Sequence, residues 1–258
     1  MTIHHDERAT ALVGEPLESL DGVRAGQPFR IEGPRVSWAA VELLGSARKA
    51  RRLTRQEAVT TEGRELAVAG MIDERSRRFS PWASSVADIL DDSTLSIAGE
   101  QSNGTTSERL TAWSDGSRTL ITATEPGADD DLRTLEIVGI ESTAPRIASW
   151  LAIAPAWAFG DPEPLVIDAG LIDARLRDAT VEPPEDAGEF LRFAWSQPWT
   201  VWTVAVQPAD SAMRCIDAGS AGYLGLMGAS DGTMTIEAVP SAAVFSSLVA
   251  IIERARRA

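Results

Sequence analysis

Apolar positions along the chain first recur at helical spacing, then alternate, and then run through the same order again. Ser37 to Leu44 reads as a short helix. Thr54-Arg55-Gln56-Glu57 is a capping box, in which Thr and Glu side chains take up orphan N–H groups at a helix start. It predicts a helix to about Ala69, stopped by Gly70. Ser80-Pro81 opens another, with Trp82, Val86, Ile89 and Leu90 on one face. The period then falls to two. Thr94 to Gln101 reads as a strand, with Leu95 and Ile97 facing one way, and Asn103-Gly104 as a hairpin turn. Leu110–Ser114, Asp115-Gly116 and Arg118–Thr124 form a second hairpin, and Leu132 to Ile140 is a further strand. Thr143 to Ala154 returns to helical spacing and ends at Pro155.

The order then recurs. Ala169–Arg177 and Gly188–Trp195 read as helices, separated by Pro183-Pro184. Thr200–Val206, Met213–Asp217, Tyr223–Met227 and Thr233–Val239 read as strands, the last two joined by Asp231-Gly232. Ser241 to Arg257 is a helix whose closing arginines suit its C-terminal dipole. Such an order predicts an α+β fold: one antiparallel β-sheet built from two pseudo-repeated halves and flanked by helices. Residues 1–33 read as a mostly irregular N-terminal segment with at most a short strand near Phe29 and Ile31. Residues 34–258 form a single domain of two related halves, about 34–160 and 161–258.

Composition narrows the partners. The 258 residues are 44% hydrophobic, enough for a substantial core. No apolar run reaches the roughly 18–20 residues of a membrane span, and the start lacks the basic-then-apolar pattern of a signal peptide. A cytoplasmic protein without membrane insertion is expected. The formal charge of −14 repels phosphate backbones and so argues against nucleic acid. Cys215 is the single cysteine, which rules out an internal disulfide and fits a reducing compartment. Lys49 stands alone among many arginines, a usage that fits a GC-rich, actinobacterial genome.

Candidate chemistry is sparse. Ala218-Gly219-Ser220-Ala221-Gly222 imitates a nucleophile elbow, but a strand follows it where a helix is needed. The two histidines, His4 and His5, precede it and stand in the tail with Asp6 and Glu7, so they make a poor metal site. Asp168 and Asp173 read as a strand end and a helix start better than as a magnesium pair. The three-residue spacing of Gly219, Gly222, Gly225 and Gly228 does not match a dinucleotide fingerprint. Asp129, Asp130 and Asp131 read as a solvated loop. No enzyme, cofactor or metal is predicted.

Aromatic residues point to protein binding instead. Trp195, Trp199 and Trp202 concentrate large rings beside one strand. Trp202, Val204 and Val206 face one side of it and Trp199 and Val201 the other, the pattern of a buried central strand. Part of this cluster is also suited to line a partner groove, since aromatics anchor interfaces. Tyr223 opens a glycine-rich strand that leaves room for an incoming apolar helix. These four are the candidate partner-binding residues, and the docking surface is expected in the second half.

Met213-Arg214-Cys215-Ile216-Asp217, a small-residue turn, Tyr223-Leu224-Gly225-Leu226, Asp231-Gly232, Thr233-Met234-Thr235-Ile236 and Pro240 before an Ala/Leu-rich helix together resemble the ending of the EspG family. Gly70-Met71-Ile72-Asp73, Trp82 to Leu90 and the strands around Asp115-Gly116 extend the resemblance over most of the chain beyond Val36. The family comprises the cytosolic chaperones of actinobacterial type VII (ESX) secretion. It implies a two-half sheet with flanking helices and no catalytic residues. It also implies a secreted helical substrate, PPE-type or WXG-related, held before export. The alternative is a different interaction module, an immunity or scaffold protein.

Overall fold

The computed structural model describes residue 29 and residues 31–124, 131–154, 163–228 and 232–258. It gathers the alternating stretches into one ten-stranded sheet in which every neighbouring pair is antiparallel. The strands are β1 (Arg35–Ser37), β2 (Leu95–Ser102), β3 (Ser107–Ser114), β4 (Arg118–Ala123), β5 (Leu132–Gly139), β6 (Leu165–Asp168), β7 (Thr200–Gln207), β8 (Ser211–Asp217), β9 (Tyr223–Gly228) and β10 (Thr233–Val239). Outward from the middle, one side runs β2-β3-β4-β5-β1 and the other β7-β8-β9-β10-β6. Each half is thus a four-stranded meander that takes a short edge strand from its own start. At the seam β2 pairs with β7, with Gly99 opposite Val204 at the centre of the two eight-residue strands. An approximate twofold through that pair exchanges the halves.

Among the described residues seven α-helices flank the sheet. They are α1 (Trp38–Ser46), α2 (Thr61–Val68), α3 (Pro81–Asp91), α4 (Thr143–Trp150), α5 (Ala169–Arg177), α6 (Glu189–Ser196) and α7 (Ser241–Arg256). Their starts are set locally. The side chains of Ser37, Thr60, Ser80 and Asp168 each accept a backbone N–H at the first turn of α1, α2, α3 and α5.

The two faces of the sheet are covered differently. On one, α4 and α7 pack over the middle strands, and Ile147, Trp150, Val244, Leu248 and Ile252 meet Ile97, Leu110, Trp202 and Val204. On the other the helices divide. α1, α2 and α3 close over Leu120 and Leu135 in the first half, while α5 and α6 close over Val201, Ile216 and Leu224 in the second. Each side chain of this size, once fully buried, favours the fold by about 1.5–3 kcal/mol. The helices are held by this burial more than by propensity, since most are only two or three turns long.

The structure departs from the sequence reading at several points. The capping box forms, with Thr54 N–H donating to Glu57 Oε2 at 2.7 Å and Glu57 N–H to Thr54 Oγ1 at 3.2 Å. It opens only a 3-10 turn, Glu57–Val59, because Thr60 is extended and begins α2 as a second cap. α4 stops at Trp150, and Ala152 takes a left-handed backbone conformation at φ 52°. Phe29 and Ile31 are not a strand; they pack as partly buried side chains on the core beneath α4 and α7. The edge strand is β1, a few residues later. Among the singled-out residues, His4, His5, Asp129, Asp130 and Asp231 lie outside the described residues.

Candidate partner-docking surface

The four aromatic candidates are all interior. Trp195 and Trp199 belong to the core under α5 and α6, with ring centroids 4.8 Å apart and planes crossing at 75°. Their indole N–H groups donate to Val181 O at 2.7 Å and Ala194 O at 2.8 Å. Arg175 completes the cluster. It donates to Trp195 O at 2.7 Å and Gln197 O at 3.0 Å, and its guanidinium lies 5.1 Å from the Trp199 ring centre. Burial lowers its pKa, and the Asp178 carboxylate opposes that shift. Trp202 and Tyr223 lie across the sheet, in the core under α4 and α7. The Tyr223 hydroxyl accepts Ala154 N–H at 2.9 Å and donates to Ala152 O at 3.2 Å, so it ties the chain after α4 to β9.

The structure therefore joins Trp195 to Trp199, sets Trp202 and Tyr223 on the opposite face, and presents none of the four to a partner. The room expected beside Tyr223 is also filled: a Cβ at Gly225 would sit 2.8 Å from Val239 Cγ2.

What the helices leave open is the middle of the sheet, on the face they share unequally. There, β3, β2, β7 and β8 align Thr111, Ala98, Ala205 and Ala212 in one row, and Arg109, Glu100, Thr203 and Arg214 in the next. Ala98, Glu100, Arg109 and Ala212 are exposed and the other four half-buried; none joins a buried cluster. Four strands span about 14 Å between the outer two, room for one α-helix of about 10 Å diameter. Small side chains keep the floor low. Charges on it are loosely paired, Arg109 to Glu100 at 3.9 Å and Arg214 to Asp173 of α5 at 3.5 Å. Such pairs contribute little by themselves and re-pair readily.

The polar residues considered for catalysis have structural roles. Asp168 caps α5 by accepting Gly170 N–H at 2.7 Å, and Asp173 faces Arg214. The Ser220 hydroxyl donates to Gln197 Oε1 at 2.7 Å, from a 3-10 turn between Gly219 and Gly222, whose φ values are 56° and 84°. The Cys215 thiol is buried, which pushes its pKa up to about 12 and keeps it protonated. Among the described residues no group of three His, Cys, Asp or Glu is placed to hold a metal. No helix among them is long and apolar enough to cross a membrane.

Sequence reasoning missed Ala98, Ala205 and Ala212 because it looked for aromatic anchors. The signal was present in the polar-or-small set of β2 and β7: Ser96, Ala98, Glu100, Thr203 and Ala205 alternate with the large core residues. Small or polar residues at the central outward positions of the two middle strands mark a face that no helix among the described residues covers.

No family model matches the chain, and no curated protein matches it in sequence. A solved structure does share its fold: the Mycobacterium tuberculosis type VII secretion system chaperone EspG5, in complex with a PE25–PPE41 dimer. The TM-score is 0.51 at 12% sequence identity, over 83% of this chain and 94% of that one. At this identity the likeness is one of architecture. The chain is an α+β protein with an EspG-like fold.

Proposed function

We propose that the chain is a protein-binding chaperone of the EspG type, which holds a helical secreted protein of the PPE or WXG-related kind in the cytosol before export. The observation that carries this reading is the likeness in fold, across most of both chains, to a chaperone captured with a PE–PPE dimer. The open middle of the sheet supports it: a floor of Ala98, Ala205 and Ala212 suits the close approach of one apolar helix. Asp168 caps a helix, Asp173 faces Arg214 and Ser220 pairs with Gln197, surface roles that fit binding better than catalysis.

Co-expression with PE–PPE and WXG-type substrate pairs, followed by size-exclusion chromatography, tests the reading. A stable complex is expected with one class. Ala98→Arg and Ala205→Arg each put a long cation on the floor, and each is expected to weaken that complex at least tenfold with little change in melting temperature. A chain that retains none of these substrates is not such a chaperone. Equal binding by both variants would move the site elsewhere.

A further inference from the structure

The two halves differ at one place where the twofold makes them comparable. In the first half Arg35, Thr134 and Ala123 align across β1, β5 and β4. In the second, Val166, Thr235 and Met227 align across β6, β10 and β9. Both rows lie on the face that carries α4 and α7. In the first, Arg35 at the edge is exposed, but Ala123 and Thr134 are covered, 1% and 2% exposed, and Phe29 and Ile31 pack against the core that contains Ala123. The second is bare, with Val166 60% and Met227 49% exposed.

The neighbouring charges differ in the same sense. Glu136, beside Ile121, pairs with Arg146 of α4 at 3.0 Å, and the Arg146 guanidinium lies 5.3 Å from the Phe29 ring centre. Its counterpart Glu237, beside Gly225, has no ion-pair or hydrogen-bond partner for its carboxylate among the described residues. α7 offers it none, since its arginines come only in the last turn. Among the described residues the second half thus keeps the threonine and the carboxylate but has neither the apolar cover nor the cation.

We propose that the row Val166–Thr235–Met227 seats an extended apolar segment of a partner protein that also brings a basic side chain to Glu237. The first half shows the chemistry of that occupant. Phe29 and Ile31 lie outside helix and strand and put alternate residues on the same surface, as an extended chain does. A cation held between aromatic ring and carboxylate completes the arrangement there. A chain of formal charge −14 favours a basic partner segment at long range as well. This second site stands on the comparison of the two rows and not on the open seam or on the chaperone reading.

The full chain, with its methionine methyl groups labelled with carbon-13, tests it. The probe is the peptide acetyl-Arg-Phe-Ser-Ile-Arg-amide, and the control replaces Phe and Ile by Ser. The Met227 methyl signal is expected to shift saturably with the probe and not with the control. Met227→Asp and Val166→Asp are each expected to weaken binding more than tenfold, read from tryptophan fluorescence or calorimetry, and Glu237→Gln at least fivefold at low salt. Ala98→Arg should leave it unchanged, which separates this site from the seam. No saturable shift, equal binding of the control, or unchanged affinity in the Asp variants overturns the proposal. So does a dimer in sedimentation that Met227→Asp dissolves, because a second copy would then cover the row. A Met227 methyl already shielded from a soluble spin label in the free monomer overturns it too, because the chain would cover its own row.

Discussion

Gly99 lies directly beneath Trp150: a Cβ built on Gly99 would stand 2.7 Å from the indole Cζ3 and 3.2 Å from Cη2. The absent side chain at the centre of β2 is what lets α4 bring its one tryptophan down onto the seam. Gly99→Ala is expected to destabilise the protein by about 1–3 kcal/mol through overpacking, despite the better strand propensity of alanine. Urea denaturation measures it. In Trp150→Phe, with its smaller ring, the same change should cost much less; an equal cost in both backgrounds would show that the indole is not the obstacle.

The buried tryptophans make a second, separable prediction. Trp195→Ala, Trp199→Ala and Trp202→Ala each empty a core position and should cost about 3–5 kcal/mol. Affinity for a partner, corrected for the unfolded fraction, should stay near wild type. A variant that keeps its melting temperature and loses binding would place that ring at an interface after all.

Removing the Tyr223 hydroxyl probes the tie between α4 and β9. Tyr223→Phe leaves Ala154 N–H without its acceptor, and about 1–2 kcal/mol of stability should go with it. Hydrogen exchange at Ala154 should rise more than exchange in β9. Unchanged exchange at Ala154 would mean that the bond does not hold the segment.

Asp115 sets a pH dependence. Partial burial works against its charge, but the N–H groups of Arg118 and Ser117, the Ser117 hydroxyl and the Arg118 guanidinium outweigh it. They hold the carboxyl well below the ordinary carboxylate range. A depressed pKa in the folded state stabilises above the unfolded value of about 3.9 and is lost as pH falls toward the folded one. Asp115→Asn should therefore be less stable than wild type at pH 7 by about 2 kcal/mol, and the gap should close below about pH 4. A gap that stays constant from pH 7 to pH 3 would remove the charge from the explanation.

Much of the fold was legible because local signals agreed with it. The capping serines, the turn glycines and the period change near Leu95 each act within a few residues, so the strands and their hairpins could be placed without tertiary information. The repeat was legible for the same reason: order survives where identity does not. β1 escaped because three residues carry no period, and only its pairing with β5 makes it a strand. The burial of the four aromatic candidates was less legible for another reason. Two apolar faces on β7 say that both sides are covered near Trp202 and Val201. They do not say that cover stops two residues further on, at Thr203 and Ala205, where the two helical layers part. That boundary depends on the spacing between α3 and α5, which no stretch of sequence contains.

The seam also bears on the order in which the molecule folds. Six of the nine strand pairings join consecutive strands and close short loops. Gly99 and Val204 are about a hundred residues apart and close one of the longest. Each meander gains contacts early at small entropic cost, whereas joining them waits until both exist. The seam is therefore expected to form after the rate-limiting step. Val204→Ala is expected to speed unfolding while leaving the folding rate nearly unchanged, whereas Leu120→Ala, inside the first meander, should slow folding. Stopped-flow kinetics on the two variants measures this, and a slowed folding arm in Val204→Ala would put the seam in the nucleus. With the seam at the native side of the barrier, loss of the β2–β7 pairing would be the first step of unfolding, and both meanders would outlast it.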